Sequence, residues 1–155
     1  MSVNASKARW GVDGDMILRA YSATEVATEA VTVNDGIDLN LLSAAYWQDD
    51  TIPFGEVSLA IQVTNADFTS MDETYTFTAY VDDLADMSDS PVAVGAINVL
   101  GGSTGIFHLP IDGRVIEALD TDVTSGSKFL SFALTSSGTT PLIAFGIEVV
   151  GKRAR

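Results

Sequence analysis

Regular alternation of apolar and polar residues predicts β-strands along much of this chain. The two clearest stretches are EVSLAIQVT at 56–64 and TYTFTAYVD at 74–82, where every second residue is apolar. A period of two is what a strand with one buried face requires. The inward faces are predicted to carry Val57, Leu59, Ile61 and Val63 in the first stretch, and Tyr75, Phe77, Ala79 and Val81 in the second. Because only the polar connection NADFTSMDE separates them, the simplest interpretation is a long antiparallel pair.

Shorter apolar segments bounded by turn residues continue this pattern toward the C-terminus. They are VAVGAINVL at 92–100, IFHLPI at 106–111, SKFLSFALTS at 127–136 and PLIAFGIEVV at 141–150. SKFLSFALTS is apolar on both faces, which is typical of a central strand. The last segment is expected to direct Ile143, Phe145, Ile147 and Val149 inward. We expect full burial of Ile61, Phe77, Phe132 and Phe145.

The remaining segments are less regular, and they complete the predicted fold. Met16, Ile17 and Leu18 form a short apolar run, 26–33 alternates in part and is compatible with a strand, and 37–39 fits a short extended piece. RVIEAL at 114–119 fits either a helical turn or a strand. The total is seven to nine strands joined by turn-rich loops, which predicts an all-β antiparallel β-sandwich. A jelly roll fits the length, and an immunoglobulin-like sandwich is the alternative.

The domain layout follows from the same pattern. Residues 1–15 are predicted to form an extended N-terminal arm, residues 16–150 a single β-sandwich (jelly-roll) domain, and residues 151–155 a short basic C-terminal tail. The N-terminus lacks the apolar core of a signal peptide, and no apolar run reaches the length of a membrane span. We therefore expect a soluble protein that is made in the cytoplasm and has no membrane partner.

Composition agrees with a β-rich chain and restricts its chemistry. Val, Ile and Thr supply 40 of the 155 residues, and such β-branched side chains fit a pleated surface. Hydrophobic residues make up 46% and charged residues 19%, which indicates a packed domain. Since the chain has no cysteine, disulfides and cysteine zinc sites are excluded.

Charge is distributed unevenly along the chain. All 21 carboxylates lie between Asp13 and Glu148, where three basic residues accompany them and leave that stretch at −18. Such an acidic body repels nucleic acid and anionic lipid, so neither is expected as a partner. The ends are basic, and with the neighbouring Trp10 they are the candidate docking residues: Lys7, Arg9, Trp10, Lys152, Arg153 and Arg155.

Two readings of these basic ends stay open. Terminal Lys and Arg side chains often lie free in water. Alternatively, they dock on a complementary acidic surface, where arginine forms bidentate pairs with carboxylates.

Candidate sites for chemistry are sparse. In the acidic loop at 82–91, Asp82, Asp83 and Asp86 offer oxygen ligands of the kind that Ca²⁺ prefers. The loop lacks EF-hand spacing, so a solvated acidic loop is the simpler interpretation, and we expect no cofactor. His108 is the only histidine and has no nucleophile motif beside it, so we do not expect an enzyme.

The aromatic residues allow a second kind of site. Trp10, Trp47, Tyr46 and Tyr80 are of the residue types that stack on sugar rings and favour wet interfaces. The competing interpretation is that they pack in the core or between subunits.

The layout from residue 16 to 150 resembles a known family. MILRAYSAT leads to IDL, long alternating strands EVSLAIQVT and TYTFTAYVDD follow, and FHLPI, FLSFAL and SGTTP precede the last strand. This order is similar to that of the jelly-roll capsid cement (decoration) proteins of tailed bacteriophages, of the Bordetella-phage type. The arm at 1–15 and the basic tail have no counterpart in this resemblance.

The resemblance implies a structural virion protein without catalytic residues. Such proteins are dimers or trimers that bind the exterior of the capsid and clamp neighbouring major capsid subunits, after synthesis in the host cytoplasm. The basic tail would then dock on an acidic patch of the shell. The alternative function is a carbohydrate-binding β-sandwich module of a tail or adhesion protein, which would use the aromatic residues and a Ca²⁺ ion.

Overall fold

Two four-stranded antiparallel sheets build the protein in the computed structural model, which describes residues 17–39, 56–112, 115 and 129–152. The strands are β1 (Ile17–Arg19), β2 (Ile37–Asp38), β3 (Glu56–Ala66), β4 (Thr74–Asp82), β5 (Val92–Leu100), β6 (Gly105–Asp112), β7 (Phe129–Ser137) and β8 (Ile143–Lys152). Sheet A has the order β1-β8-β3-β6, and sheet B has the order β2-β7-β4-β5. The sandwich predicted from the alternation is thus confirmed.

The strand pairs are nested along the chain. β4 pairs with β5, β3 with β6, β2 with β7 and β1 with β8, all antiparallel. Two further pairs, β3 with β8 and β4 with β7, join these hairpin-like pairs side by side within each sheet. The first and last strands are therefore neighbours in sheet A, and β5 and β6 form the edges on the opposite side.

An apolar core between the sheets confirms the predicted inward faces. Ile61, Phe77, Phe132 and Phe145 are each 0% exposed. The Phe77 and Phe145 rings, one from each sheet, meet edge to face at 5.0 Å between centroids, and Phe132 meets Phe145 at 5.9 Å. Such aromatic contacts add to the free energy gained from burial alone.

The predicted pairing of the 56–64 and 74–82 stretches is wrong. β3 lies in sheet A between β8 and β6, whereas β4 lies in sheet B between β7 and β5. The connection at 67–73 therefore crosses from one sheet to the other. Alternation identifies the face of a strand that meets the core, but it carries no information about the neighbouring strand.

The segment 26–33 is not a strand. Val26 and Glu29 make isolated bridges to Ile143 and Leu134, and Val31–Val33 forms a 3₁₀ turn. Because Ile143 belongs to β8 and Leu134 to β7, this segment links sheet A to sheet B on the side where β1 and β2 lie. The segments at 1–15 and 114–119, apart from Val115, fall outside the described residues.

A buried ion pair fastens this N-terminal segment to the sandwich. Arg19 Nε lies 2.8 Å from Glu29 Oε2, and the two side chains are only 11% and 8% exposed. The guanidinium also donates to the Phe145 carbonyl and lies 4.0 Å from the centroid of the Phe145 ring. Asn34 Nδ2 donates to the second Glu29 oxygen at 2.5 Å, so both carboxylate oxygens are paired.

Candidate interaction surfaces

The outer face of sheet B is uncharged across residues 74–80 of β4, across β5 and across the part of β7 that pairs with residues 74–78, whereas β2 carries Asp38. Residues that alternate with the buried positions of β4 point away from the core, and their partners on β5 and β7 share that side of the sheet. We call this surface the threonine face. It consists of Thr74, Thr76, Thr78, Tyr80, Ala93, Ala96, Asn98, Leu100, Ala133, Thr135 and Ser137. None of these eleven residues is ionisable at neutral pH, although the chain contains 21 carboxylates.

Short side chains keep the threonine face even. Its central row aligns Ala96, Thr78 and Ala133 across three strands, and the next row aligns Asn98, Thr76 and Thr135. The Thr76 and Asn98 side chains are hydrogen-bonded to each other at 2.8 Å, which holds both against the sheet. An even surface of alanine and hydroxyl groups suits close contact with another protein surface.

The outer face of sheet A has a different character. It carries Glu148 and His108 on either side of Ala60, and the backbone register places Glu56 between Asp112 and Lys152 at one end of the sheet. Part of this face is covered, since Tyr21 packs over Gly146 and its hydroxyl lies 2.8 Å from Thr64 Oγ1. Because it carries charged residues and is partly covered, the outer face of sheet A is less accessible to a partner than the threonine face of sheet B.

The edge strands β5 and β6 also differ. β5 has the sequence VAVGAINVL, with no charged residue and no proline, and most of its residues are exposed or half-buried. β6 contains Pro110 and ends at Asp112. Proline and charged residues at an edge obstruct pairing with another strand. Only β5 therefore offers an edge without these obstacles among the described strands.

Three loops meet at one end of the sandwich, and we call this region the three-loop end (67–73, 101–104 and 138–142). The buried Tyr75 hydroxyl organises it by donating to the Leu142 carbonyl at 2.8 Å and accepting from the Leu142 N–H at 3.0 Å. Burial raises the pKa of Tyr75 above its usual value. Exposed apolar side chains also lie here, because Phe68 and Met71 line the space beside Gly102.

Two acidic residues of the three-loop end have structural partners. Hydrogen bonds lower the pKa of Asp72 to about 2. The bond from Ser70 has the largest effect, and the bonds from the N–H and the hydroxyl of Thr139 add to it. Glu73 is 1% exposed, and its Oε1 accepts from the Ser70 hydroxyl. Its Oε2 lies against Gly101, where an added Cβ would stand 2.6 Å away. Only glycine therefore fits at residue 101 without displacing the Glu73 side chain.

The three candidate calcium ligands, Asp82, Asp83 and Asp86, make hydrogen bonds within the acidic loop. The buried Asp82 carboxylate accepts from the N–H groups of Asp83 at 2.7 Å and Asp89 at 3.0 Å, so its two oxygens close the acidic loop. A hydrogen bond with Asp82 raises the pKa of Asp83, and Asp86 Oδ1 accepts from Ser88. Across the described ranges, no three His, Asp or Glu side chains are grouped as ligands of a metal ion would be.

Most predicted docking residues lie outside the described ranges. Lys7, Arg9, Trp10, Arg153 and Arg155 belong to this set. Lys152 is the last residue of β8, and its backbone pairs with that of Glu56. The strand thus includes the first two residues of the predicted tail.

The other candidate residues are separated. His108 is exposed on β6 in sheet A, whereas Tyr80 is half-buried on the threonine face of sheet B. Trp47 and Tyr46 fall outside the described residues. The two of these residues that the structure describes, His108 and Tyr80, thus lie in different sheets.

Sequence reasoning missed the threonine face and the open β5 edge. The alternating threonines of TYTFTAYVD indicate the threonine face, and the nine uncharged residues of VAVGAINVL indicate the β5 edge. Combining them required the register between β4 and β5, which pattern alone does not supply.

In the described part of the chain, no helix has the length and apolar character needed to cross a membrane. Comparison with protein-family models, with curated proteins and with solved structures gave no match.

Proposed function

We propose that this chain is a structural virion protein that binds the exterior of a phage capsid and bridges neighbouring major capsid subunits. The observation that carries the proposal is the threonine face, which is broad, even and uncharged on an otherwise acidic molecule. A surface of this kind contacts another protein without the cost of removing charges from water. The acidic remainder would face solvent and keep many bound copies from associating unspecifically.

The strand order supports the jelly-roll form of the sandwich that the family resemblance implies. Nested pairing from β4–β5 outward to β1–β8 gives the orders 1-8-3-6 and 2-7-4-5. An eight-stranded chain that wraps as one long folded hairpin produces these two orders, and jelly rolls are built in this way. This fold occurs in viral capsid proteins, so the topology and the proposed role agree.

Weak contacts suffice for such a role because a capsid shell presents many copies of the same subunit side by side. A protein that touches two adjacent capsid subunits gains from the second contact through a high effective concentration. The threonine face would supply one contact, and the basic tail, which begins where β8 ends, would supply another on an acidic patch of the shell.

Cosedimentation with undecorated capsid shells, followed by cryo-electron microscopy, tests the proposal. Thr135→Lys places a charge at an exposed position of the threonine face. We expect this variant to bind shells at least about tenfold more weakly than the wild type, since a buried unpaired charge costs several kcal/mol. Gln62→Lys, at an exposed position on the outer face of sheet A, is the matched control and should bind normally.

Equal binding by the two lysine variants would overturn the assignment of the threonine face. Absence of any ordered density on shells, with the wild-type protein folded, would overturn the capsid role itself. The tail is tested separately with Arg153→Ser and Arg155→Ser, which leave β8 complete, whereas a deletion from residue 151 would shorten it. Unchanged shell occupancy would then remove the tail from the proposal.

Carbohydrate binding is the second candidate function, because Tyr80 lies on the threonine face among hydroxyl and amide side chains. An aromatic ring beside Thr78, with Thr76 and Asn98 further along the same face, provides both stacking and hydrogen bonding for a sugar. Screening a broad glycan array with the wild type and with Tyr80→Ala distinguishes the two functions. A saturable glycan signal that Tyr80→Ala abolishes would favour the carbohydrate module.

A further inference from the structure

The three-loop end of the sandwich gathers exposed apolar side chains. A Cβ added to Gly102 would stand 3.1 Å from Met71 Cε and 3.5 Å from Phe68 Cδ1, so these two side chains lie close together. Five of the twelve large apolar side chains that are exposed among the described residues lie in or beside the three loops: Phe68, Met71, Leu100, Ile106 and Leu142. Exposed apolar groups that gather in this way typically mark a surface that a partner covers.

The backbone at Met71 points to the same conclusion independently. Its φ is +57°, a conformation that glycine adopts far more readily than a residue with a long side chain. Thr140, in the loop that binds Asp72 through Thr139, has φ +53°. Strained residues of this kind collect at binding sites. Because the Met71 side chain is 64% exposed, packing within the free protein does not explain why methionine stands there.

Charge restricts the kind of partner that fits this end. The three loops contain no Lys or Arg. Asp72 is exposed beside Met71, and it stays ionised at neutral pH because its hydrogen bonds lower its pKa to about 2. Carrying such a charge into lipid together with Met71 would be costly. The complementary surface is instead an apolar pocket of a protein with Lys or Arg at its rim.

The apolar cluster is continuous with the threonine face. Leu100, Thr74 and Ser137 form the last row of that face, and each is joined directly to one of the three loops. The threonine face lies on the side of the sandwich, whereas the loops lie on its end. A single flat surface therefore cannot cover both, but two adjoining surfaces that meet at an angle can.

We propose that the three-loop end is an apolar anchor on the capsid shell, where Phe68 and Met71 enter a pocket of one subunit and Asp72 pairs with a basic residue at its rim. The threonine face then covers the adjoining subunit. This inference rests on the proposed capsid function and names a further contact for bridging. The contact is separate from the basic tail, because β8 begins beside the three loops and ends at the opposite end of the sandwich.

Cosedimentation with shells of a Met71→Gly variant tests the anchor. Glycine accepts a φ of +57° without strain, so this variant should keep the melting temperature of the wild type. We expect it to bind shells about tenfold more weakly, since a buried apolar side chain at the centre of a contact carries much of the affinity. Phe68→Ser should weaken binding to a similar extent. The matched control is Ser90→Gly, at an exposed position with φ +59° in the acidic loop, which should bind normally.

The anchor and the capsid role fail in different ways. Shell binding by the wild type that Met71→Gly and Phe68→Ser leave unchanged would overturn the anchor alone. Equal losses in Met71→Gly and Ser90→Gly would also overturn it, because the effect would not be specific to the three-loop end. Failure of the folded wild type to bind shells would overturn the capsid role and the anchor together.

Photo-cross-linking identifies what covers the cluster. With p-benzoylphenylalanine in place of Phe68, ultraviolet light should join the chain to a capsid subunit, whereas the same replacement of the exposed His108 on sheet A should not. Cross-links formed only between copies of this chain would overturn the choice of partner. So would flotation of the wild type with phosphatidylcholine vesicles, if Met71→Gly abolished it.

Discussion

At the scale of single residues, Arg19 determines how the N-terminal segment is held. Arg19→Ala would leave the buried Glu29 carboxylate with Asn34 as its remaining partner among the described side chains and would remove the contact with the Phe145 ring. We expect a loss of about 3–5 kcal/mol in the free energy of unfolding, measured by urea denaturation. The double variant Arg19→Ala, Glu29→Ala should lose less than the sum of the single variants. Additive losses would show that the pair is not coupled.

Asp72 is a second single residue with a predictable effect, because it makes the free energy of unfolding depend on pH. Its pKa is about 2 in the folded protein against a usual 3.8, so the unfolded chain takes up the proton first as the pH falls. The stabilisation by the Asp72 hydrogen bonds is therefore present above about pH 4 and is lost toward pH 2. Asp72→Asn should flatten the decline of the urea midpoint over this range. Thr139→Val, which removes one donor to Asp72, should flatten it partly, and identical slopes in all three proteins would contradict this account.

At the scale of elements, alternation predicted the inward faces of β3, β4 and β8 because one side of each meets an apolar core. It did not predict their partners, because the same pattern fits any neighbour in either sheet. The segment 26–33 shows a further limit of prediction from alternation. Its backbone pairs only at Val26 and Glu29, and the Glu29 side chain is needed by Arg19, which is ten residues away in sequence. Contacts of this kind depend on tertiary structure, and periodicity does not record them.

The acidic loop between β4 and β5 is predicted to be stable without calcium. Because Asp82 uses both carboxylate oxygens on N–H groups of its own loop, we expect the melting temperature to be the same with Ca²⁺ and with EDTA. Asp82→Ala should lower the free energy of unfolding by about 1–3 kcal/mol, since it leaves the part-buried N–H groups of Asp83 and Asp89 without this acceptor. A rise in melting temperature on adding Ca²⁺, absent in Asp82→Ala, would instead make the loop an ion site.

At the scale of the whole molecule, the charge distribution predicts that salt weakens the proposed binding to capsid shells. Screening reduces the attraction between the basic tail and an acidic patch of the shell, so fewer copies should bind as ionic strength rises. Cosedimentation with shells over a salt series measures this effect. Binding that does not change with ionic strength would contradict a charged contact through the tail.

The nested order of the strands also bears on how the chain folds. β4 and β5 close a short loop, whereas β1 and β8 lie more than a hundred residues apart in sequence, so the outer pairs close cheaply only after the inner ones have formed. Val99→Ala in β5 should then mainly slow folding, while Leu18→Ala in β1 should mainly speed unfolding, as stopped-flow chevron plots would show. The reverse pattern would exclude zipping from the middle outward. A chain that zips in this way locks its first and last strands at the end of folding and releases them first when it opens.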